Sequence, residues 1–360
     1  MRFVSFLFVF SLVFTVFAQR ENSFGFEYRQ KMGFLAAHRG VMGHLPREHA
    51  FAGELSFYIK TNGRKFWHST CSFPYLGATL FAGSVGNKDI LGRFYGAYGF
   101  VEFPFVKREK YRFLAKLGSG LAYTTRVFNY EDNPKNVAMS THMNALICIG
   151  FTNHFYFGQN RISLGIDMTH FSNGAYKVPN LGVNLPYLTL GYGRTLKSFK
   201  KDTLLRNPSI PYKKWLYGLT GVITAKEVFP TGGTKYPVYG LSGYARRFFK
   251  PKVGMEVMLD VISKQAIFAY KPEIPKTQWD ILQIGLYTGY LFPLDQFHFV
   301  LGMGVYLKDK YQPEDFLYHR VGMRYYFTNG MHAQVVLKSH WARADYVEWG
   351  LGYTFNYKNR

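Results

Sequence analysis

The feature that most constrains this chain is a two-residue alternation of side-chain character that recurs along its length. Ile162, Leu164, Ile166 and Met168 are followed at the same spacing by His170 and Ser172, with Ser163, Gly165, Asp167 and Thr169 between them. Side chains on a strand alternate between two faces, so this stretch reads as a strand with one oily face and one small polar face. The pattern returns in Phe297, Phe299, Leu301, Met303, Val305 and Leu307, opposed by His298, Gly302, Gly304 and Tyr306. It returns again in Val347, Trp349, Leu351, Tyr353, Phe355 and Tyr357, opposed by Glu348, Gly350, Gly352, Thr354 and Asn356. Such strands suit a barrel with lipid outside and a polar lumen. A soluble sandwich also alternates, but the 35 Phe and 28 Tyr of the chain fit aromatic girdles at membrane interfaces better. The predicted fold is all-β: a transmembrane antiparallel β-barrel of the outer-membrane type, with about 16 strands (roughly 14–16).

Punctuation between the strands supports that count. The segments 105–110, 157–160, 250–252, 292–296 and 328–330 read as tight turns, and 35–48, 126–137, 174–181, 229–236, 266–276 and 308–316 as longer loops. Short and long connections largely alternate, as the two sides of a membrane barrel require. Residues 62–74 and 198–212 break the rule, being long on the inner side. The second is basic and divides the expected single barrel, residues 19–360, into halves at about 23–197 and about 213–357. At the start, Met1 and Arg2 precede an apolar run from Phe3 to Phe17, followed by Ala18. The run is shorter than the roughly 20 residues a spanning helix needs and fits a secretory signal over residues 1–18. The expected location is therefore the outer membrane.

Two cysteines, Cys71 and Cys148, make no disulfide framework and are expected to be thiols. The formal charge of +22 calls for a polyanionic partner, and charge alone does not choose which. An exported chain without an RNA-binding signature meets phosphorylated lipid head groups above all, so these are expected rather than nucleic acid.

The oily face of residues 162–172 ends in a base and a hydroxyl. With the N-terminus inside, this is the seventh strand and runs outward, so His170 and Ser172 reach its outer end facing lipid. Nucleophilic acyl transfer needs a base within reach of a hydroxyl and a third group to orient the base. Pro179, Asn180 and Gly182 then form a turn, and the returning strand puts Asn184, Pro186, Leu188, Leu190 and Tyr192 on one stripe. A hairpin centred near Lys177 sets Asn184 across from His170. Asp167 and Glu102 are expected to face inward. His142, Asn144 and Cys148 are expected to pack in the lumen rather than hold a metal, because paired ligand spacing is missing. The glycines of residues 116–123 are expected to admit close packing rather than cradle phosphate.

His170, Ser172 and Asn173, followed by Pro179, Asn180, Gly182 and a polar residue at 184, resemble the PagL-type lipid A deacylases, outer-membrane esterases that remove the 3-O-linked acyl chain of lipid A. The resemblance implies His170 as base and Ser172 as nucleophile, with Asn173 and Asn180 in the oxyanion and substrate-binding region. The family has Glu where this chain has Asn184, so the orienting residue departs from the pattern. The resemblance implies lipid A or lipopolysaccharide as substrate, the outer membrane as location, and neither metal nor cofactor. A typical member has eight strands, so the resemblance speaks for about the first half. The alternative is a non-enzymatic barrel, a pore or a surface-binding or assembly protein that retains the motif. Oligomeric state has no signature in the sequence.

Overall fold

The computed structural model describes residues 23–197 and 214–356, except 271, 274 and 342. The expected signal segment 1–18, the basic connection 198–212 and Tyr357 lie outside the described residues. The chain forms two compact units, each built on one closed antiparallel barrel of eight strands. In the first, β1 (Ser23–Gly33), β2 (Ala50–Lys60), β3 (Tyr75–Ser84), β4 (Arg93–Lys107), β5 (Tyr111–Thr124), β6 (Met143–Phe157), β7 (Asn160–Ser172) and β8 (Val183–Lys197) follow one another in space. In the second, the same order holds for β9 (Leu216–Glu227), β10 (Lys235–Lys250), β11 (Val253–Lys264), β12 (Leu282–Leu294), β13 (Phe297–Lys308), β14 (Leu317–Tyr326), β15 (Met331–His340) and β16 (Arg343–Thr354).

The all-β class and the sixteen strands agree with the sequence-based expectation. The closure differs: the expectation is sixteen strands in one ring, and two rings of eight form. β8 returns to β1, with Leu188 opposite Met32, and β16 returns to β9, with Trp349 opposite Ile223. The physical reason lies inside the rings. An eight-stranded barrel has an interior just wide enough for side chains to fill, and the inward positions here carry long charged and aromatic groups that fill it. In the first barrel Arg29, Lys31, Lys116 and Arg161 are buried among Glu27, Glu54, Glu102 and Asp167. Lys31 lies 3.1 Å from Glu54 and 2.9 Å from Asp167, and Arg29 lies 2.8 Å from Glu102. In the second, Arg320 bridges Glu348 at 2.8 Å and Asp260 at 2.6 Å, while Arg324 pairs with Glu256. Buried charges persist only when paired in this way. The lumen charges nearly cancel, so the excess positive charge of the chain lies elsewhere.

The outer walls are apolar. On β7 Ile162, Leu164, Ile166 and Met168 are exposed, while Arg161, Ser163, Asp167 and Thr169 are buried. On β16 Trp349, Leu351 and Tyr353 are exposed, and Asp345, Glu348 and Thr354 are buried. Connections are short on one end, as at Gly158–Gln159 between β6 and β7, and longer on the other, as in the ten residues 173–182 between β7 and β8. The segment 62–74, expected as a long inner-side exception, carries a one-turn helix, Phe66–Thr70. Cys71 and Cys148 are buried and form no disulfide.

Candidate active site

The site begins with what anchors the outer end of the β7–β8 hairpin. Phe171 points inward, fully buried, with its ring centroid 4.7 Å from that of Phe94 and 5.6 Å from that of Phe81. Val183 and Leu185 are likewise buried at the start of β8. Because the period is two, pinning these three residues inside turns their neighbours His170, Ser172 and Asn184 outward. Each of the three is half-buried.

His170 and Asn184 are opposite one another in the β7–β8 ladder, and His170 Nδ1 lies 2.6 Å from Asn184 Oδ1. A carbonyl oxygen has no proton, so Nδ1 carries the hydrogen and donates it. The other ring nitrogen, Nε2, is left with its lone pair. Ser172 lies two residues beyond on the same stripe. No hydrogen bond joins Ser172 directly to His170 in this resting arrangement. Ser172 Oγ instead accepts from Asn180 Nδ2 at 2.9 Å and from the Gly174 N–H at 3.1 Å. With both acceptor positions engaged, the Ser172 hydroxyl proton is left to donate elsewhere.

The turn that brings these donors is held by Asn173. Its N–H donates to Asn180 Oδ1 at 3.1 Å, which aims the Asn180 amide group at Ser172. Its side-chain Nδ2 donates to Ser140 Oγ at 3.0 Å and to the Lys177 carbonyl at 2.9 Å. Ser140 in turn donates to the same Lys177 carbonyl at 2.8 Å. Gly174 has φ +65°, a conformation glycine takes without a Cβ penalty, and this turn exposes its N–H to Ser172.

Sequence reasoning missed three participants. Gly174 supplies a donor, Ser140 ties in the loop before β6, and His38 touches Asn184. The Ala36 N–H donates to the Asn184 carbonyl at 2.9 Å, continuing the β1–β8 ladder, and His38 follows two residues later with Nδ1 3.0 Å from Asn184 Nδ2. His38 lies 146 residues from Asn184 in the chain, so no local pattern points to it. Gly174 could have been found from the glycine directly after the His-x-Ser-Asn motif.

Below the polar group, toward the middle of the wall, the next outward pair is Met168 opposite Pro186. They open onto an apolar groove of about 550 Å³ on the outer wall, lined also by Met32, Phe34, Ile149, Phe151, Ile166 and Leu188. Asp167 is turned the other way and ion-paired with Lys31, so it is out of reach of His170. Glu102 is inside the barrel with Arg29. Cys148 is buried on the inner face as expected, whereas His142 is exposed rather than packed in the lumen, with Nδ1 2.8 Å from the Thr124 carbonyl.

Among the described residues, a cluster of potential metal ligands lies in the second barrel: ligand atoms of Glu314, His340 and Asp345 are within 4.8 Å of one another. Two ammonium groups already occupy it. Lys264 contacts Glu314 at 2.6 Å and Asp345 at 2.9 Å, and Lys226 contacts both acids as well. The carboxylates are thereby neutralised, and a cation would meet two like charges.

Comparison with known proteins separates the two barrels in the same way as the strand pairing. A family model described as lipid A 3-O-deacylase (PagL) matches residues 51–193, which contain His170, Ser172, Asn173, Asn180 and Asn184. A second, described as acyloxyacyl hydrolase, C-terminal domain, matches residues 212–357. No curated protein matches the chain. Among solved structures, Neisserial surface protein A aligns at TM-score 0.36 and 9% identity, covering 49% of this chain and 100% of its own. A mutant porin of Rh. blastica aligns at TM-score 0.20 and 9% identity, covering 93% of this chain and 100% of its own. The two family models together span most of the chain, one on each barrel: it belongs to the PagL family of lipid A deacylases.

Proposed function

We propose that this chain is an outer-membrane esterase that hydrolyses an ester-linked acyl chain of lipid A at the outer end of the β7–β8 hairpin. The observation that carries the proposal is the 2.6 Å contact of His170 Nδ1 with Asn184 Oδ1 on the lipid-facing wall, with Ser172 on the same stripe. In the neutral ring that contact places the proton on Nδ1 and leaves Nε2 with its lone pair, which is the tautomer a general base needs here. His170 Nε2 takes the hydroxyl proton as Ser172 Oγ bonds to the ester carbonyl carbon. Collapse of the tetrahedral intermediate breaks the bond to the sugar oxygen, which receives the proton from His170. Water, deprotonated by the same imidazole, then releases the acyl chain from Ser172.

The developing oxyanion needs donors fixed in advance. Asn180 Nδ2 and the Gly174 N–H both point at the Ser172 oxygen and are the candidates; the backbone N–H of Asn173 is engaged by Asn180, so Asn173 is the brace of the turn. Asn184 orients the ring as an amide does in Cys-His-Asn proteases, without adding a negative charge. The apolar groove beneath, of about 550 Å³, suits the acyl chain. The apolar walls suit a membrane, and the surplus of 44 Lys and Arg over 22 Asp and Glu, with lumen charges nearly balanced, suits the phosphates of lipopolysaccharide.

The pore alternative loses its support, since each ring has eight strands and an interior filled by paired side chains rather than an aqueous channel. The test is to incubate purified protein with lipid A in detergent and follow the mass of the lipid. Loss of one acyl chain, absent with Ser172→Ala, supports the proposal; unchanged lipid with folded protein rejects it.

A further inference from the structure

We infer that His38 is a positioning residue for this site, holding the Asn184 amide in the one orientation that leaves His170 a base. The inference deepens the esterase proposal and rests on it. It begins with the asymmetry of an amide. A carboxylate accepts on both of its oxygens, so either edge can hold the Nδ1 proton of His170. An amide accepts on one edge and donates on the other. If Asn184 turned its NH2 edge to His170, Nδ1 would have to accept, the ring proton would move to Nε2, and the base would be lost.

Something must therefore distinguish the two edges. His170 alone cannot do so, because its own tautomer is what is being set. The group on the far side of Asn184 is His38, with Nδ1 3.0 Å from Asn184 Nδ2. The amide nitrogen has only protons to offer, so His38 Nδ1 accepts. That second bond locks the NH2 edge toward β1 and the carbonyl edge toward His170, at 2.6 Å. The backbone makes the placement durable: the Ala36 N–H donates to the Asn184 backbone carbonyl at 2.9 Å, so the segment bearing His38 is fastened to the residue it orients. The order His38, Asn184, His170, Ser172 runs from the β1–β2 loop across β8 to β7. A chain with Asn in place of a carboxylate needs this fourth member; a chain with the carboxylate does not.

The test compares His38 variants in two backgrounds. With Asn184 present, His38→Ala is expected to lower deacylation turnover about tenfold, the scale of one lost hydrogen bond expressed in a rate. His38→Asn should restore most of it, because its side-chain oxygen sits close to the place of Nδ1 and still accepts. In an Asn184→Asp background, adding His38→Ala should change turnover less than about twofold, since both carboxylate oxygens accept. A residue that merely supports the loop would cost the same in either background. A separate readout needs no turnover: ¹⁵N NMR of histidine-labelled protein should show His170 protonated at Nδ1 in the parent and a mixture of tautomers in His38→Ala. Equal losses in the two backgrounds, full turnover in His38→Ala, or an unchanged His170 tautomer would each overturn the inference. Absence of deacylation by the parent protein would instead reject the esterase proposal, and the tautomer measurement would still decide the role of His38.

Discussion

The two barrels are built alike and end differently. Each closes eight strands around paired charges, and each presents an oily outer wall. At the outer end of the seventh strand of the first barrel, His170 faces Asn184 and Ser172 follows it. At the outer end of the seventh strand of the second, the alternating positions hold Leu337 and Ser339, and Leu337 faces Val347. The hairpins also differ in length. Residues 173–182 connect β7 to β8 and supply Gly174 and Asn180, whereas only 341 and 342 separate β15 from β16. A two-residue turn has no room to return donors to a serine. The comparison fits the proposed reading, in which the lumen is scaffold in both barrels and one cross-strand pair and one longer loop on the outer wall carry the chemistry.

The largest effect expected is at the pair itself. Ser172→Ala or His170→Ala should each lower turnover by at least about 10³-fold, and the double variant should be little worse than either, because the two act as a unit. Kinetics on folded variants check this; a full multiplicative loss in the double variant would mean that the residues act separately. Next comes the scaffold. Removing one partner of a buried pair leaves an unpaired charge and costs roughly 3–5 kcal/mol. Arg29→Ala in the first barrel and Arg320→Ala in the second should destabilise by similar amounts, read from thermal unfolding in detergent. A much smaller cost in one would break the equivalence of the two lumens.

Asn180→Ala removes one oxyanion donor and should lower kcat by about 10²-fold with stability nearly unchanged. The smallest effect is expected in the second barrel: Ser339→Ala should leave turnover within about twofold, since Leu337 stands where an imidazole precedes Ser172 in the first barrel. A large loss there would place chemistry in the second barrel, where His319 is the cross-strand partner of Ser339.

Much of this is legible in the sequence for physical reasons. Alternation with period two reports a strand face directly, so the outward placement of Ile162, Leu164, Ile166 and Met168 follows from their spacing alone. The β7–β8 partnership is legible because Pro179, Asn180 and Gly182 mark the turn and the turn fixes the register. Ring closure is not legible. The same alternation serves one ring of sixteen or two of eight, and only the pairing of β8 with β1, more than 150 residues apart, distinguishes them. The inward row Glu27, Arg29, Lys31 is the available clue, since side chains of that length fill a narrow ring. The family resemblance puts Asn173 in the oxyanion region, yet its N–H is occupied by Asn180. Hydrogen bonds within a loop are not encoded by periodicity. His38 is invisible for the same reason, lying in a loop that meets Asn184 only after the barrel closes.

The most direct measurement of the central claim is mass spectrometry of lipid A from cells producing this chain, beside cells producing folded Ser172→Ala at equal level. The chemistry on the outer wall of the first barrel predicts a lipid A lighter by one ester-linked hydroxyacyl chain in the first culture and the full mass in the second. Full-mass lipid A in both, with the parent protein folded in the outer membrane, would contradict it.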